Sequence, residues 1–376
     1  MTKSKPFCYA PWTTVQYQGT QGIKPCCEWK GPAFKGNVKD YHNSKYLSKI
    51  KTAMKTHDTD IISKNCIECI ETEDLGDKST RGYIKRDVDS KRYTAGQLGK
   101  LDYRPDNLCN LKCRMCGPNS SSLIEEEYIT PKVQQKATEL HFNTGIKSPI
   151  LVRDTDDVLD FDLSNLKTLA ILGGEPTVNK KVFPILDYLI DNGMNKNIRL
   201  QYTTNCTSIN RPWMSRIEKF KDVNVNLSID AAGKAYEYIR TGAEWNKVEK
   251  NIPKIIDIAE DYSIQMVVQT TSFAIIEDWI EYFLQFPTDT INMTPMYGVA
   301  GKLDCIPDHI KADKIKYLEK LNHPTADMAI NHLKRYPYNP DQARMFKKRT
   351  MFLDNIRSTS IYDLDPIFEK LFNCYK

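Results

Sequence analysis

The sequence lacks any apolar run approaching the roughly 18 residues that a membrane helix needs, so we expect no membrane span. Its first residues, Met1 to Lys5, lack the apolar stretch of a secretion signal, and we expect a cytoplasmic protein. Neither sign of charge dominates, because 53 Lys and Arg face 48 Asp and Glu; the net charge of +5 does not indicate nucleic-acid binding. Histidine is scarce, with 6 residues and none beside a cysteine group, which disfavours a mixed Cys/His zinc finger.

Cysteine, in contrast, is plentiful, with 11 residues in a chain for which we expect a reducing compartment, where disulfides are rare. Cysteines in that setting indicate metal or redox chemistry when they cluster. One group lies near the amino terminus, a second is compact, and the remaining cysteines are isolated. The groups are Cys8, Cys26, Cys27, Cys66 and Cys69; then Cys109, Cys113 and Cys116; and singly Cys206, Cys305 and Cys374.

Short apolar runs alternate with helical stretches from about residue 98, which predicts an α/β fold with a parallel sheet. The predicted strands are 98–103, 166–172, 198–203, 223–229, 264–270 and 290–293. The predicted helices are 44–55, 120–128, 182–192, 211–220, 245–261, 276–286, 311–322, 325–335 and 341–357. Six such strands fit an incomplete barrel or a doubly wound sheet. We divide the chain into a cysteine-rich segment 1–95, an α/β segment 96–300 and a helical segment 301–376.

Cys109, Cys113 and Cys116 follow the first predicted strand with the spacing C-x3-C-x2-C. Thiolates are ligands for iron–sulfur clusters and for zinc. A four-iron cluster normally takes four thiolates, so three of them leave one iron open to a small molecule. The alternative is a structural zinc ion with a fourth ligand from elsewhere. Active sites of parallel β/α folds lie on loops after the strands, which favours the cluster.

This loop resembles the cluster-binding signature of the radical S-adenosylmethionine (radical SAM) superfamily. The resemblance implies a partial (β/α)6 TIM-like barrel and a [4Fe-4S] cluster on the three cysteines, whose open iron chelates S-adenosylmethionine (SAM). In that family an electron from the reduced cluster cleaves the sulfonium, and the resulting 5′-deoxyadenosyl radical abstracts a substrate hydrogen atom. Met115 falls where the family places a residue near the adenine.

The sequence Gly173-Gly174-Glu175-Pro176 follows the predicted strand 166–172. Glycines let the backbone approach a ligand closely, and a carboxylate suits an ammonium group. The resemblance implies that Gly174 and Glu175 bind the amino group of SAM. The alternative is an ordinary turn in which Glu-Pro begins a helix.

Two further strand ends carry the candidate residues Asn205, Cys206 and Ser228, and Arg240 lies on the segment that follows the second of them. The resemblance implies that Asn205 is a polar contact in the pocket, that Ser228 lies near the ribose or carboxylate of SAM, and that Arg240 pairs with the carboxylate. The alternative for Arg240 is a solvated cation at a helix end. In the family that the sequence resembles, glycine is commoner at the position that Cys206 occupies here. It is a speculative hydrogen-atom or proton donor, against the alternative of a small buried thiol.

The amino-terminal cysteines suggest a second metal site. Cys66 and Cys69 form a C-x2-C clip that Cys8 and Cys26 can complete. The set resembles the twitch domain, a half-sized relative of the SPASM domain that holds an auxiliary iron–sulfur cluster, here expected to be [4Fe-4S]. The resemblance favours Cys26 as the ligand, with Cys27 as the alternative. Twitch elements usually follow the barrel, whereas this one precedes it, and zinc on four cysteines remains the other possibility.

Together these features predict a radical SAM oxidoreductase that modifies a peptide or protein, with an external one-electron reductant of the flavodoxin or ferredoxin type. One alternative substrate is a nucleoside or small metabolite. An alternative of another class is a non-catalytic interaction protein with zinc on its cysteines. An electron-transfer protein would explain the clusters, but it would not explain the Gly-Gly-Glu and Ser/Arg signals, which serve a bound ligand.

Overall fold

A computed structural model of the chain describes residues 7–74, 78–152, 155–296 and 300–375. It has an α/β fold with a mostly parallel central sheet, which confirms the predicted fold class. The strands are β1 Thr14–Gln18, β2 Gly22–Lys24, β3 Lys100–Arg104, β4 Lys112–Cys113, β5 Thr168–Ile171, β6 Arg199–Thr204, β7 Asp222–Ser228, β8 Arg240–Thr241, β9 Asp261–Val268 and β10 Ile291–Pro295.

The helices of the described chain are α1 Ala10–Thr13, α2 Val38–Tyr41, α3 Lys45–Thr56, α4 Thr59–Asn65, α5 Ile67–Asp74, α6 Thr80–Asp89, α7 Ser122–Ile129, α8 Pro131–Glu139, α9 Phe183–Asp191, α10 Arg211–Ile217, α11 Gly233–Ile239, α12 Trp245–Asp257, α13 Thr270–Phe273, α14 Ile280–Phe283, α15 Asp308–Leu321, α16 Pro324–Arg335, α17 Pro340–Arg357 and α18 Ile367–Cys374. None of them, over the residues described, has the length and apolarity that a membrane crossing requires.

The chain forms two compact units. The first comprises 1–107, 151–202 and 210–224, and the second comprises 108–150, 203–209 and 225–376. These units do not follow the predicted boundaries after residues 95 and 300, and the three segments remain a prediction.

In the first unit the strand order is β2-β1-β3-β5-β6; β1 pairs with β2 in antiparallel fashion, whereas the β1–β3, β3–β5 and β5–β6 pairs are parallel. Its core packs against the sheet with aromatic and aliphatic side chains; Tyr17 and Tyr103, for example, stack with their ring centroids 6.2 Å apart. β1 runs parallel to β3 in the register Thr14↔Lys100. The sheet of this unit therefore includes chain from the cysteine-rich segment.

In the second unit β9 lies between β7 and β10 and pairs with β10 in parallel, while β4 and β8 form a separate antiparallel pair. One hydrophobic cluster of this unit joins α7 and α8 to α17 through Ile124, Val133 and Phe352. α15, α16 and α17 lie at the positions predicted for them, within a few residues.

The predicted helix 276–286 is wrong in its extent. A short 3-10 helix, Ile276–Asp278, is followed by α14, and the break falls at Trp279. Trp279 has φ −140° and is buried, and its indole N–H donates to the Ser272 carbonyl over 2.8 Å. Burial of this ring and its hydrogen bond fix a backbone conformation that a continuous helix does not allow.

Candidate active site

The loop Cys109–Cys116 belongs to the second unit, and its backbone is fixed by β8. Cys113 ends β4 and has Arg240 as its Cα partner across the ladder. The Arg114 amide donates to the Ile239 carbonyl over 2.8 Å, and the Cys116 amide donates to the Cys113 carbonyl over 3.1 Å. Cys113 is buried, whereas Cys109 and Cys116 are half-buried. The three thiols of the predicted cluster are therefore carried by one tightly folded turn.

Arg240 places positive charge against this turn. Its Nη1 lies 3.8 Å from Cys113 Sγ, and its Nε lies 2.8 Å from Asp230 Oδ2. Asp230 is fully buried, and its Oδ1 accepts the Val267 amide over 2.8 Å. Arg240 is thus held by a buried carboxylate beside a thiol, rather than solvated at a helix end. A cation in this position favours the thiolate form that a metal requires.

Cys113 and Cys116 share a hydrogen bond that affects their two thiols in opposite directions. It is the largest cause that raises the pKa of Cys113, with burial adding to the rise. The same hydrogen bond lowers the pKa of Cys116, against the effect of burial. The positive charge of Arg240 opposes the rise in the pKa of Cys113 and adds to the fall in the pKa of Cys116.

Asn205 is connected to the cysteine turn through Asn110, since its Nδ2 donates to Asn110 Oδ1 over 3.0 Å. Its own Oδ1 accepts the Thr207 amide over 3.0 Å. Ser228 is the last residue of β7, and Met115 immediately precedes Cys116; both are half-buried. The second unit thus brings Asn205 and Arg240 to the cysteine turn.

Cys206 is fully buried and has φ +60°, a left-handed conformation that is rare for a residue other than glycine. Its Sγ lies 3.7 Å from the Thr204 carbonyl, and its own carbonyl accepts a hydrogen bond from Asn251 over 2.9 Å. The conformation explains physically why a glycine suits this position. Its role as a donor stays a prediction.

The Gly-Gly-Glu segment belongs to the first unit. Gly173 has φ +85°, and a Cβ added there would lie 2.9 Å from the Cβ of Arg104, so a side chain does not fit. Glu175 is buried, and its Oε1 accepts hydrogen bonds from the amide and the hydroxyl of Thr177, over 3.2 and 2.7 Å. The carboxylate thereby caps the short 3-10 helix Pro176–Val178, as the turn alternative expected. Binding of SAM by Gly174 and Glu175 stays a prediction.

Four of the amino-terminal cysteines line one cavity of the first unit. Cys66 directly follows α4, and Cys69 lies in α5, so the C-x2-C clip is formed at a junction of two helices. The cavity is also lined by the charged side chains Glu28 and Arg81. The cysteines that line it are Cys8, Cys26, Cys66 and Cys69.

Cys27, the fifth cysteine of this group, is absent from the described lining of that cavity. Its Sγ lies 3.6 Å from Glu28 Oε1. Burial and the negative charge of Asp102 on β3 raise the pKa of Cys27 to about 12.

Burial also raises the pKa of Cys8 to about 12 and that of Cys66 to about 11, so metal binding here must release protons. In the described part of the chain, no three His, Cys, Asp or Glu side chains are grouped so as to hold a metal ion. A four-iron cluster places each thiolate on a different iron, so its donor set is more widely spaced than that of a single ion.

Residues 103–282 match the family model described as the radical SAM superfamily. The chain carries a radical SAM domain. The match identifies it as a radical SAM enzyme and does not name a substrate. The matched segment includes the cysteine turn, the Gly-Gly-Glu segment, Cys206 and Arg240.

Among curated proteins, the chain is similar to an uncharacterized protein of Methanocaldococcus jannaschii, with 24% identity over 239 residues that cover 61% of this chain and 70% of the relative. Among solved structures it is similar to anSMEcpe with bound AdoMet and the Cp18Cys peptide, at 20% identity and a TM-score of 0.38, covering 60% of this chain. It is also similar to Streptococcus suis SuiB bound to S-adenosylmethionine, at 15% identity and a TM-score of 0.36, covering 72% of this chain.

The chain spans 59% of the anSMEcpe chain and 61% of the SuiB chain. Both TM-scores are below 0.5.

Proposed function

We propose that this radical SAM enzyme cleaves SAM reductively at a [4Fe-4S] cluster held by Cys109, Cys113 and Cys116. The observation that supports this most directly is the set of three thiols on one turn, with the Arg240 guanidinium 3.8 Å from the middle one. Thiolates suit iron–sulfur clusters, and three of them leave one iron for a ligand. The donor chemistry of the turn therefore fits the cluster that the family implies.

A cluster held by these three cysteines would supply one electron to the sulfonium of SAM, and the cleavage would give methionine and a 5′-deoxyadenosyl radical able to take a hydrogen atom from the substrate. In this proposal the chain's own residues bind the metal and orient SAM. The cysteines hold the metal, and Arg240, fixed by Asp230, neutralises thiolate charge. We propose that Ser228 and Asn205 of the second unit contact SAM, and contact of SAM by Gly174 and Glu175 stays what the resemblance implies.

The test is anaerobic reconstitution with iron and sulfide, then reduction by dithionite in the presence of SAM, with 5′-deoxyadenosine measured by mass spectrometry. We expect the wild-type chain to form this product. Replacing Cys109, Cys113 and Cys116 together by alanine should lower 5′-deoxyadenosine formation by more than roughly 100-fold. Loss of a residue that merely supports a metal ligand can already cost that much, and this variant loses the ligands themselves.

Cys374→Ala provides a matched control, because this exposed cysteine ends α18 and belongs to neither cysteine group. It should retain wild-type product formation. Unchanged product in the triple variant would show that the cysteine turn is not the cluster site. Zinc without sulfide in the reconstituted wild-type chain would favour the non-catalytic zinc protein instead.

We further propose an auxiliary [4Fe-4S] cluster on Cys8, Cys26, Cys66 and Cys69. Support comes from the cavity that these cysteines line together and from the position of Cys27 outside that lining. Four thiolates leave no iron open, which favours a role in electron transfer. A twitch-like segment at 1–95 would carry this cluster.

We propose a peptide or protein as the substrate and a flavodoxin or ferredoxin as the one-electron donor, on the resemblance of the motifs alone. A gene for a short precursor peptide beside the gene for this chain would favour the peptide class. Anaerobic incubation of that peptide with the reconstituted enzyme, SAM and dithionite should then change its mass. An unchanged peptide, together with a modified nucleoside or metabolite, would contradict this substrate class.

A further inference from the structure

The carboxyl-terminal helix α17 contacts the cysteine turn directly, although it lies far from the turn in sequence. Arg349 Nη2 donates to the Arg114 carbonyl over 2.7 Å, and Arg357 Nη1 donates to the Lys112 carbonyl over 2.8 Å. These two carbonyls lie on either side of Cys113. Two guanidinium groups of one helix thereby fix the main chain on both sides of the most buried thiol of the turn.

Arg114 provides a third connection, in the opposite direction. Its Nη2 lies 2.5 Å from Asp354 Oδ1 on α17, and its Nε donates to the Tyr238 carbonyl over 3.0 Å. The guanidinium also stacks on the Tyr238 ring, 3.6 Å from its centroid. Both charged side chains are more than nine-tenths buried, with relative exposures of 6% and 9%. A buried charge of this kind is costly unless it is paired, so each partner strongly constrains the other.

Neighbouring groups hold the partners of this connection in place. Asp354 accepts from the Tyr238 hydroxyl over 2.9 Å and from the Ile361 amide over 2.9 Å. Arg357, whose side chain is 1% exposed, pairs with Glu127 of α7 over 2.7 Å. The side chain of Cys116 also packs against the hydrophobic cluster that contains Phe352 and Leu353 of α17. Polar and apolar contacts of one helix thus converge on the turn.

We propose that α17 positions the metal-binding turn, with Arg349, Asp354 and Arg357 as positioning residues that hold Cys113 and Cys116 in the geometry that a cluster requires. Rigid support of metal ligands by their neighbours is a general determinant of metal affinity. Arg349 also brings a positive charge to the turn, which would offset part of the negative charge of three thiolates. The inference rests on the proposed function only in taking the turn as the cluster site.

Two variants test this role, each with a readout that needs no catalysis. Asp354→Asn leaves Arg114 without its buried counter-charge. Arg349→Gln removes the guanidinium that donates to the Arg114 carbonyl. In the metal-free protein we expect hydrogen exchange of the Arg114 amide to become at least about tenfold faster, because this amide reports local opening of the turn. In the reconstituted protein we expect iron release to a chelator to become about tenfold faster.

The matched control is Lys348→Gln, an exposed neighbour of Arg349 on the same helix that should leave both rates unchanged. Arg349→Lys keeps the charge and one donor, and it should restore most of the wild-type iron retention. The midpoint potential of the cluster should fall in Arg349→Gln and recover in Arg349→Lys, since removing a nearby cation disfavours the more negative reduced state.

Wild-type exchange and iron release in both variants would overturn the inference. So would faster exchange spread evenly over the second unit, because that result indicates general destabilisation rather than loss of positioning. A wild-type chain that binds no iron would contradict the proposed function, and exchange in the metal-free chain would still decide the role of α17.

Discussion

Cys206 shows how a single backbone conformation constrains the site. It is fully buried and left-handed at φ +60°, immediately after Asn205. For an L-residue this conformation costs roughly 1–2 kcal/mol, whereas glycine adopts it freely. In the family that the sequence resembles, glycine is commoner at this position, and the positive φ of Cys206 gives a physical reason for that preference.

We predict that Cys206→Gly is more stable than Cys206→Ala by about 1 kcal/mol, the reverse of the usual order of glycine and alanine. Both variants lose the sulfur, so they differ only in the Cβ methyl group and in the freedom of the backbone to adopt a positive φ. Urea unfolding of the two metal-free variants measures the difference. A more stable alanine variant would show that the left-handed conformation carries no cost at this position.

At the scale of elements, the sequence located the six central strands and the main carboxyl-terminal helices within a few residues. It missed β1 and β2. The segment Thr14–Gln18 alternates apolar residues with Gln, yet all five of its residues are buried, because the strand hydrogen-bonds to β3 far along the chain. A strand formed by distant pairing leaves a weak local signal. The same reason hid the contacts of α17 with the cysteine turn.

The cap of α17 separates the stability of this helix from its proposed positioning role. Asn339 Oδ1 accepts the amides of Asp341 and Gln342 over 3.0 and 3.2 Å. Asn339→Ala should lower the free energy of unfolding by about 1 kcal/mol, as loss of a cap does, and Asn339→Ser should retain it. Because Asn339 lies about three helical turns from Arg349, iron retention in Asn339→Ala should stay at the wild-type level. Iron loss in Asn339→Ala comparable to that of Asp354→Asn would argue against a specific contact.

At the scale of the whole molecule, two cysteine groups predict two clusters in one chain. The wild-type protein should contain about eight irons after reconstitution, since each cubane holds four. Replacing Cys8 and Cys66 together by alanine should leave about four irons per chain and a cluster that still responds to SAM. Metal and sulfide analysis with electron paramagnetic resonance measures both.

Cys27→Ala is the matched control for that experiment, because Cys27 is absent from the described lining of the cavity. It should keep the full iron content, whereas Cys26→Ala should not. The opposite result would assign the ligand to Cys27 and contradict our choice. Stoichiometric zinc at this site would favour the structural alternative.

The sequence by itself determined the fold class and the cysteine turn, because both depend on local information: the alternation of strands and helices, and the spacing of three thiols within a few residues. Tertiary structure alone decided what surrounds the turn. Arg240 reaches Cys113 across 127 positions, and Asp354 reaches Arg114 across 240. Such pairs leave no local pattern, since their partners are chosen by burial and the need to pair buried charge. Arg240 was recognised from its motif, but its carboxylate partner and the contribution of α17 became visible only in the folded chain.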